Sequence, residues 1–64
     1  MEVFIEKEQR TISESGNCTG TELLKKLGIN ETTVLLVRNG EVVLEEEKLD
    51  DTDKIQILSV VSGG

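Results

Sequence analysis

The sequence has no histidine, so it lacks the side chain that most often serves as a general base near neutral pH and most often ligates metals. It has a single cysteine, Cys18, which excludes an internal disulfide and any cysteine-rich zinc site. With neither bridge nor metal as a staple, a small chain depends on well-formed secondary structure. A lone thiol also points to a reducing compartment, and a cytoplasmic location is expected. No apolar run approaches the about 20 residues that span a bilayer. The start, Met1-Glu2-Val3-Phe4-Ile5-Glu6, lacks the basic region of a secretion signal, so no membrane partner is expected. Positive charge is scarce too: 7 Lys and Arg stand against 13 Asp and Glu, a net charge of -6. Nucleic acid would repel such a chain and is not expected as a partner. A protein with a basic docking surface is.

What remains is short. At 64 residues there is room for one domain, and a chain of this size buries only about 60% of the surface it exposes when unfolded. Its core is too small to enclose a substrate pocket, so it is not expected to be an enzyme, nor to bind a metal or cofactor of its own. Yet 36% of its residues are hydrophobic and fall in aliphatic runs, which a disordered acidic tail would lack.

The pattern of these runs predicts the elements. Residues 2–7 alternate, with Val3 and Ile5 on one side and Phe4 and Glu6 on the other, and read as a strand. Lys7 to Arg10 turn the chain, Thr11-Ile12-Ser13 read as a second strand, and Glu14 to Asn17 are a loop by composition. Thr19 and Glu22 have the spacing of a capping box. Leu23, Leu24 and Leu27 share one helical face and Lys25 and Lys26 the other, with Gly28 as a left-handed stop. This places one helix at 20–28, its lysines at the end the helix dipole favours, with Ile29 folding back onto the apolar face. Residues 33–38 are aliphatic or β-branched, Asn39-Gly40 is a two-residue hairpin turn, and Glu41 to Leu44 return. Arg38 suggests that Val34 and Leu36 face outward with it, but the pattern leaves that strand's facing open. Leu49 anchors a polar stretch, residues 50–53 turn, and residues 54–60 form the last strand. The order β-β-α-β-β-β, with one helix to cover one face of one sheet, is an α+β layer arrangement. The terminal strands are expected side by side.

The end of the sequence, Val61-Ser62-Gly63-Gly64, follows the last strand directly. Glycine has no Cβ and passes through slots that admit no side chain. From Val60 such a tail reaches about 13 Å, at about 3.3 Å per residue, enough to carry a carboxylate into another protein's active site.

The element order and this ending resemble the ThiS/MoaD sulfur carriers, small β-grasp relatives of ubiquitin, and the likeness spans essentially the whole chain. Thr19 to Ile29 resembles the family's helix segment, Asn39-Gly40-Glu41-Val42-Val43 its hairpin, and Leu49 to Ile57 its Leu-x-Asp-Gly-Asp-x-Val/Ile segment. Thr52 stands where the family has a glycine, so that turn is expected to take another form. A Pro-Pro pair, common before the molybdopterin-type tail, is absent; Ser59-Val60-Val61 is closer to the thiazole-type tail.

The resemblance implies a mixed β-grasp sheet with one helix on one face, a single domain over 1–60 and a flexible tail over 61–64. It implies that an ubiquitin-activating-type enzyme, using ATP and magnesium, adenylates the carboxylate of Gly64, while Gly63, Ser62 and Val61 give it access. A persulfide cysteine of a sulfur donor then displaces AMP, and reduction leaves a thiocarboxylate. A sulfur-accepting synthase or thiolase receives the sulfur for thiamine thiazole, molybdopterin or tRNA. The chain, a monomer when alone, is then a co-substrate with no catalytic residues of its own. Phe4, Leu58 and Val60 are expected on the sheet face away from the helix, as a docking patch for such partners. A ubiquitin-like modifier joined through Gly64 to lysines, and a plain β-grasp binding module with an inert tail, are the competing readings. Cys18, beside the helix start, is expected to be structural or incidental, and the acidic stretches over 45–47 and 50–53 a solvated surface.

Overall fold

The structure, a computed structural model, describes residues 1–60; the predicted tail over 61–64 lies outside the described residues. Strand β1 (Glu2–Ile5) leads through a 3-10 turn at Glu6–Glu8 into β2 (Arg10–Ser13). A two-residue strand, β3 (Cys18–Thr19), precedes the helix α1 (Gly20–Leu27). A second 3-10 turn at Glu31–Thr33 leads into β4 (Val34–Arg38), β5 (Glu41–Val43), the two-residue β6 (Lys48–Leu49) and β7 (Lys54–Ser59). Five strands form one mixed sheet in the order β2-β1-β7-β4-β5, and β3 pairs with β6 in a separate ribbon. The terminal strands β1 and β7 run parallel at the middle of the sheet, Val3 opposite Ile55 and Ile5 opposite Ile57. With the one α-helix among the described residues, this is the β-grasp arrangement.

Local chemistry explains the helix bounds. The Thr19 backbone N–H donates to Glu22 Oε1 at 2.9 Å, and the Glu22 N–H donates to Thr19 Oγ1 at 3.2 Å, so both arms of the capping box are made. Gly28 adopts φ 72°, its N–H donates to Lys25 O and the Ile29 N–H donates to Leu24 O. These are the paired bonds of a Schellman stop. The core consists of Val3, Ile5, Leu23, Leu24, Leu36, Leu49, Ile55 and Ile57, with Leu27, Ile29, Val34 and Val43 against its edge.

The open facing of β4 is settled and one expectation is corrected. Leu36 and Val34 face the helix, not solvent: Leu36 belongs to the core and Val34 packs against it. Arg38 shares their face without being buried, because it is the last residue of β4 and reaches past the core. Its Nη1 donates to the Lys48 carbonyl at 3.2 Å and lies 3.8 Å from Glu47 Oε2. The polar stretch around Leu49 also contains a strand the sequence pattern does not show, β6, whose Leu49 pairs with Cys18.

Candidate functional site

Strand register determines what the face opposite the helix carries. Residues directly paired across strands share a face. Phe4 is paired with Thr11 on one side and Gln56 on the other, Gln56 with Val37, and Val37 with Val42. This row alternates with the buried row Val3, Ile55 and Ile5, Ile57, so it lies on the outer face. Leu58 is paired with Leu35 on the same face. Phe4 and Leu58 are half-buried, while Leu35 and Val42 are 42% and 64% exposed. Val37 is buried although it stands outside the helix-side core. Val60, directly after β7, is 49% exposed.

The structure thus brings Phe4 and Leu58 onto one apolar surface and adds Leu35, Val37 and Val42, which the sequence reading missed. A signal for part of this was present. A two-residue Asn-Gly turn fixes hairpin register, and Asn39 and Gly40 do both take positive φ, 50° and 86°. The pairing of Val37 with Val42 follows from that turn alone; which face they occupy does not, because every residue from Val34 to Val37 is apolar.

The second part of the site is the root of the tail. Successive N–H groups of a strand point to opposite neighbours, and both at the end of β7 are held. The Ser59 N–H donates to Glu6 Oε1 at 2.9 Å, and the Val60 N–H donates to the Thr33 carbonyl at 3.0 Å. Thr33 is itself fixed by the 3-10 turn it closes: its N–H and its hydroxyl both donate to Asn30 O. Ser59 and Ile57 line a cavity of about 620 Å³ together with Leu27, Gly28 and Ile29, so the end of β7 lies beside the C-terminal end of α1. Gly64, Gly63, Ser62 and Val61 lie outside the described residues.

Cys18 is at the other end of the helix. It is half-buried against the core, and its thiol donates to the Ser15 carbonyl at 3.7 Å. Among the described residues no group of three or more Cys, Asp or Glu side chains is placed to hold a metal ion, and no helix is long and apolar enough to cross a membrane. In the acidic stretches, burial raises the Glu45 carboxyl above its ordinary pKa, with Glu31 and Glu46 adding to it. Asp53 shifts the opposite way. The Asp50 backbone N–H donates to it, as does the Asn39 side chain, and both hold its carboxyl below the ordinary value. Thr52 is not among the residues with positive φ, so the 50–53 turn closes without the glycine of the resemblance, through an Asp53 N–H donated to Asp50 O at 3.0 Å.

Comparison with known proteins agrees with the fold. A family model described as ThiS family matches residues 2–64. The chain is similar to the Sulfur carrier protein TtuB of Thermus thermophilus, with 35% identity over 57 residues, covering 89% of this chain and 88% of that protein.

Proposed function

The chain belongs to the ThiS family, and on that premise we propose that it is a sulfur carrier whose Gly64 carboxylate is the reacting group. The observation that carries this reading is that the family match takes in the β-grasp body and the Gly63-Gly64 end together. A sulfur carrier is a small protein co-substrate, and its partners supply activation and sulfur transfer.

A carboxylate is a poor electrophile. In the proposed cycle a Gly64 oxygen attacks the α-phosphorus of ATP on an ubiquitin-activating-type enzyme, with magnesium, and pyrophosphate leaves. The acyl-adenylate now carries a good leaving group. The terminal sulfur of a donor's cysteine persulfide attacks the acyl carbon and AMP departs. A thiol reductant then cleaves the acyl disulfide and leaves the thiocarboxylate. This chain contributes the docking surface around Phe4, Leu58 and Val60, the tail root at Ser59 and Val60, and the slender access segment Val61, Ser62 and Gly63. The tail Ser59-Val60-Val61, closer to the thiazole type, makes a thiazole synthase the first acceptor to assay.

Intact-mass spectrometry of the protein isolated from its native cells tests this directly: one oxygen replaced by sulfur at the C-terminus is expected. Removing Gly64 moves the carboxylate back by one residue from a positioned phosphorus. A misplacement near 1 Å can cost about a hundredfold in rate, so ATP–pyrophosphate exchange with the cognate activating enzyme should be lost while the melting curve is unchanged. Normal thiolation of the shortened chain defeats the proposal. Conjugates of higher mass would instead indicate a protein modifier.

A further inference from the structure

We propose that Glu6 is a positioning residue for the reaction at Gly64, its carboxylate fixing the point at which the chain leaves the sheet. This rests on the carrier reading above and adds to it a residue in the body, 53 positions from Ser59 in sequence.

The need for it comes from how the sheet ends. On the β4 side of β7 the backbone continues far enough to accept the Val60 N–H, through the Thr33 carbonyl. On the β1 side it does not. The parallel ladder stops at Ile5 opposite Ile57, because Glu6 to Glu8 curl into a 3-10 turn. The carbonyl of Glu6 is used within that turn, accepting both the Gln9 N–H at 3.1 Å and the Gln9 side-chain amide at 2.7 Å. The next N–H that β7 directs toward β1, that of Ser59, therefore has no backbone acceptor. The Glu6 side chain supplies one at 2.9 Å. An ionised acceptor makes a stronger bond than a neutral one.

The consequence is geometric. The Glu6–Ser59 bond is exposed, so water replaces it at little cost to stability. Its loss leaves the end of β7 held on the β4 side alone, through the Val60 N–H and the Thr33 carbonyl, so the direction in which the chain leaves the sheet is less sharply set and the Gly64 carboxylate samples a wider volume. Phe4 and Leu58 of the docking surface keep their places within the sheet, but the carboxylate is less often in line with the phosphorus it must attack.

The test compares wild type, Glu6→Ala and Glu6→Gln, each with the cognate activating enzyme. Glu6→Ala should keep the wild-type melting curve and the KM for the carrier in ATP–pyrophosphate exchange, while kcat falls about tenfold, a displacement short of 1 Å. Glu6→Gln keeps a carbonyl acceptor at the same reach and should restore most of kcat. Amide hydrogen exchange on the free protein provides a second readout: the Ser59 amide should be protected in wild type and Glu6→Gln and unprotected in Glu6→Ala. A Ser59 amide unprotected in wild type overturns the inference. So does wild-type kcat in Glu6→Ala, and in that case the carrier reading stands. A wild-type chain that the activating enzyme does not adenylate overturns the carrier reading itself, and the inference with it, before any substitution is compared.

Discussion

Asp53 ties three segments together with one carboxylate. Its Oδ2 accepts the Asp50 N–H at 2.9 Å and its Oδ1 accepts the Asn39 side-chain amide at 3.0 Å, while Asn39 Oδ1 accepts the Lys54 N–H at 2.9 Å. The turn after the hairpin, the hairpin itself and the start of β7 are thereby joined. These bonds favour the ionised form, and they lower the Asp53 pKa, the Asp50 N–H first among the causes. A folded-state pKa below the unfolded one stabilises the fold fully above the unfolded value, about 3.9, and this contribution is lost as pH falls through the folded value. Glu45 works in the opposite direction, since its raised pKa makes the fold disfavour its ionised form; a difference between variants separates the two. Melting temperatures of wild type and Asp53→Asn, measured from about pH 7 down to about pH 2, should differ most at neutral pH and converge below about pH 4. A gap that stays constant over that range would show that the carboxylate charge plays no part. None of this was legible in Asp50-Asp51-Thr52-Asp53 as a sequence, which reads only as acidic and turn-forming. Gly16 is similar. Composition marks it as loop, but a Cβ there would collide with the backbone of Asp50 and Asp51, a contact across the chain that no local pattern reports.

The elements divide by how far away their causes lie. The helix was legible almost to the residue, because Thr19, Glu22 and Gly28 act within a turn of its ends and Leu23, Leu24 and Leu27 define its face locally. Strands β3 and β6 were not: at two residues each they carry no periodicity and exist only through each other. The facing of β4 stayed open because alternation carries no information where every position is apolar, and the one charged residue, Arg38, points the wrong way by sharing the core's face. For the candidate site the same division holds. Phe4 and Leu58 alternate with core residues of their own strands and could be placed on the outer face, whereas Leu35, Val37, Val42 and Glu6 needed the register. The helix face gives a graded prediction. Leu24 is 2% exposed and Leu27 lies at the margin of the core. Leu24→Ala should cost about 2–5 kcal/mol, a large part of the about 5–15 kcal/mol that holds a domain folded, and Leu27→Ala visibly less. Denaturant titration of both variants checks the order. Equal losses would mean that the C-terminal turn of α1 is packed as tightly as its middle.

At the scale of the whole molecule, one sheet serves two purposes, and residue parity along β7 separates them. Ile55 and Ile57 close the core against the helix, and Leu58 belongs to the outer face with Leu35 beside it. The outer face carries Phe4, Leu35, Val37, Val42 and Leu58, with Thr11 and Gln56 among them, on a chain whose net charge is -6. That combination suits a partner with an apolar patch set in a basic surround: charge speeds encounter and apolar contact holds the complex. Leu58→Asp and Ile57→Asp place the same carboxylate one residue apart on the same strand, so they isolate facing from chemistry. At Ile57, 2% exposed, an unpaired carboxylate is buried among aliphatic side chains, and the protein should fail to fold at neutral pH. At Leu58 the carboxylate reaches water. The melting temperature should stay near that of wild type, and binding to the activating enzyme should weaken by about tenfold or more, the loss of about 1.4 kcal/mol or more expected when an interface anchor is removed. Leu58→Asn distinguishes a lost apolar contact from a charge effect, because it removes the apolar side chain without adding a charge. If Leu58→Asn binds as wild type does, the apolar side chain contributes nothing and the outer face is not the docking surface. If the deficit persists while the protein remains folded, Leu58 is an anchor of the docking surface.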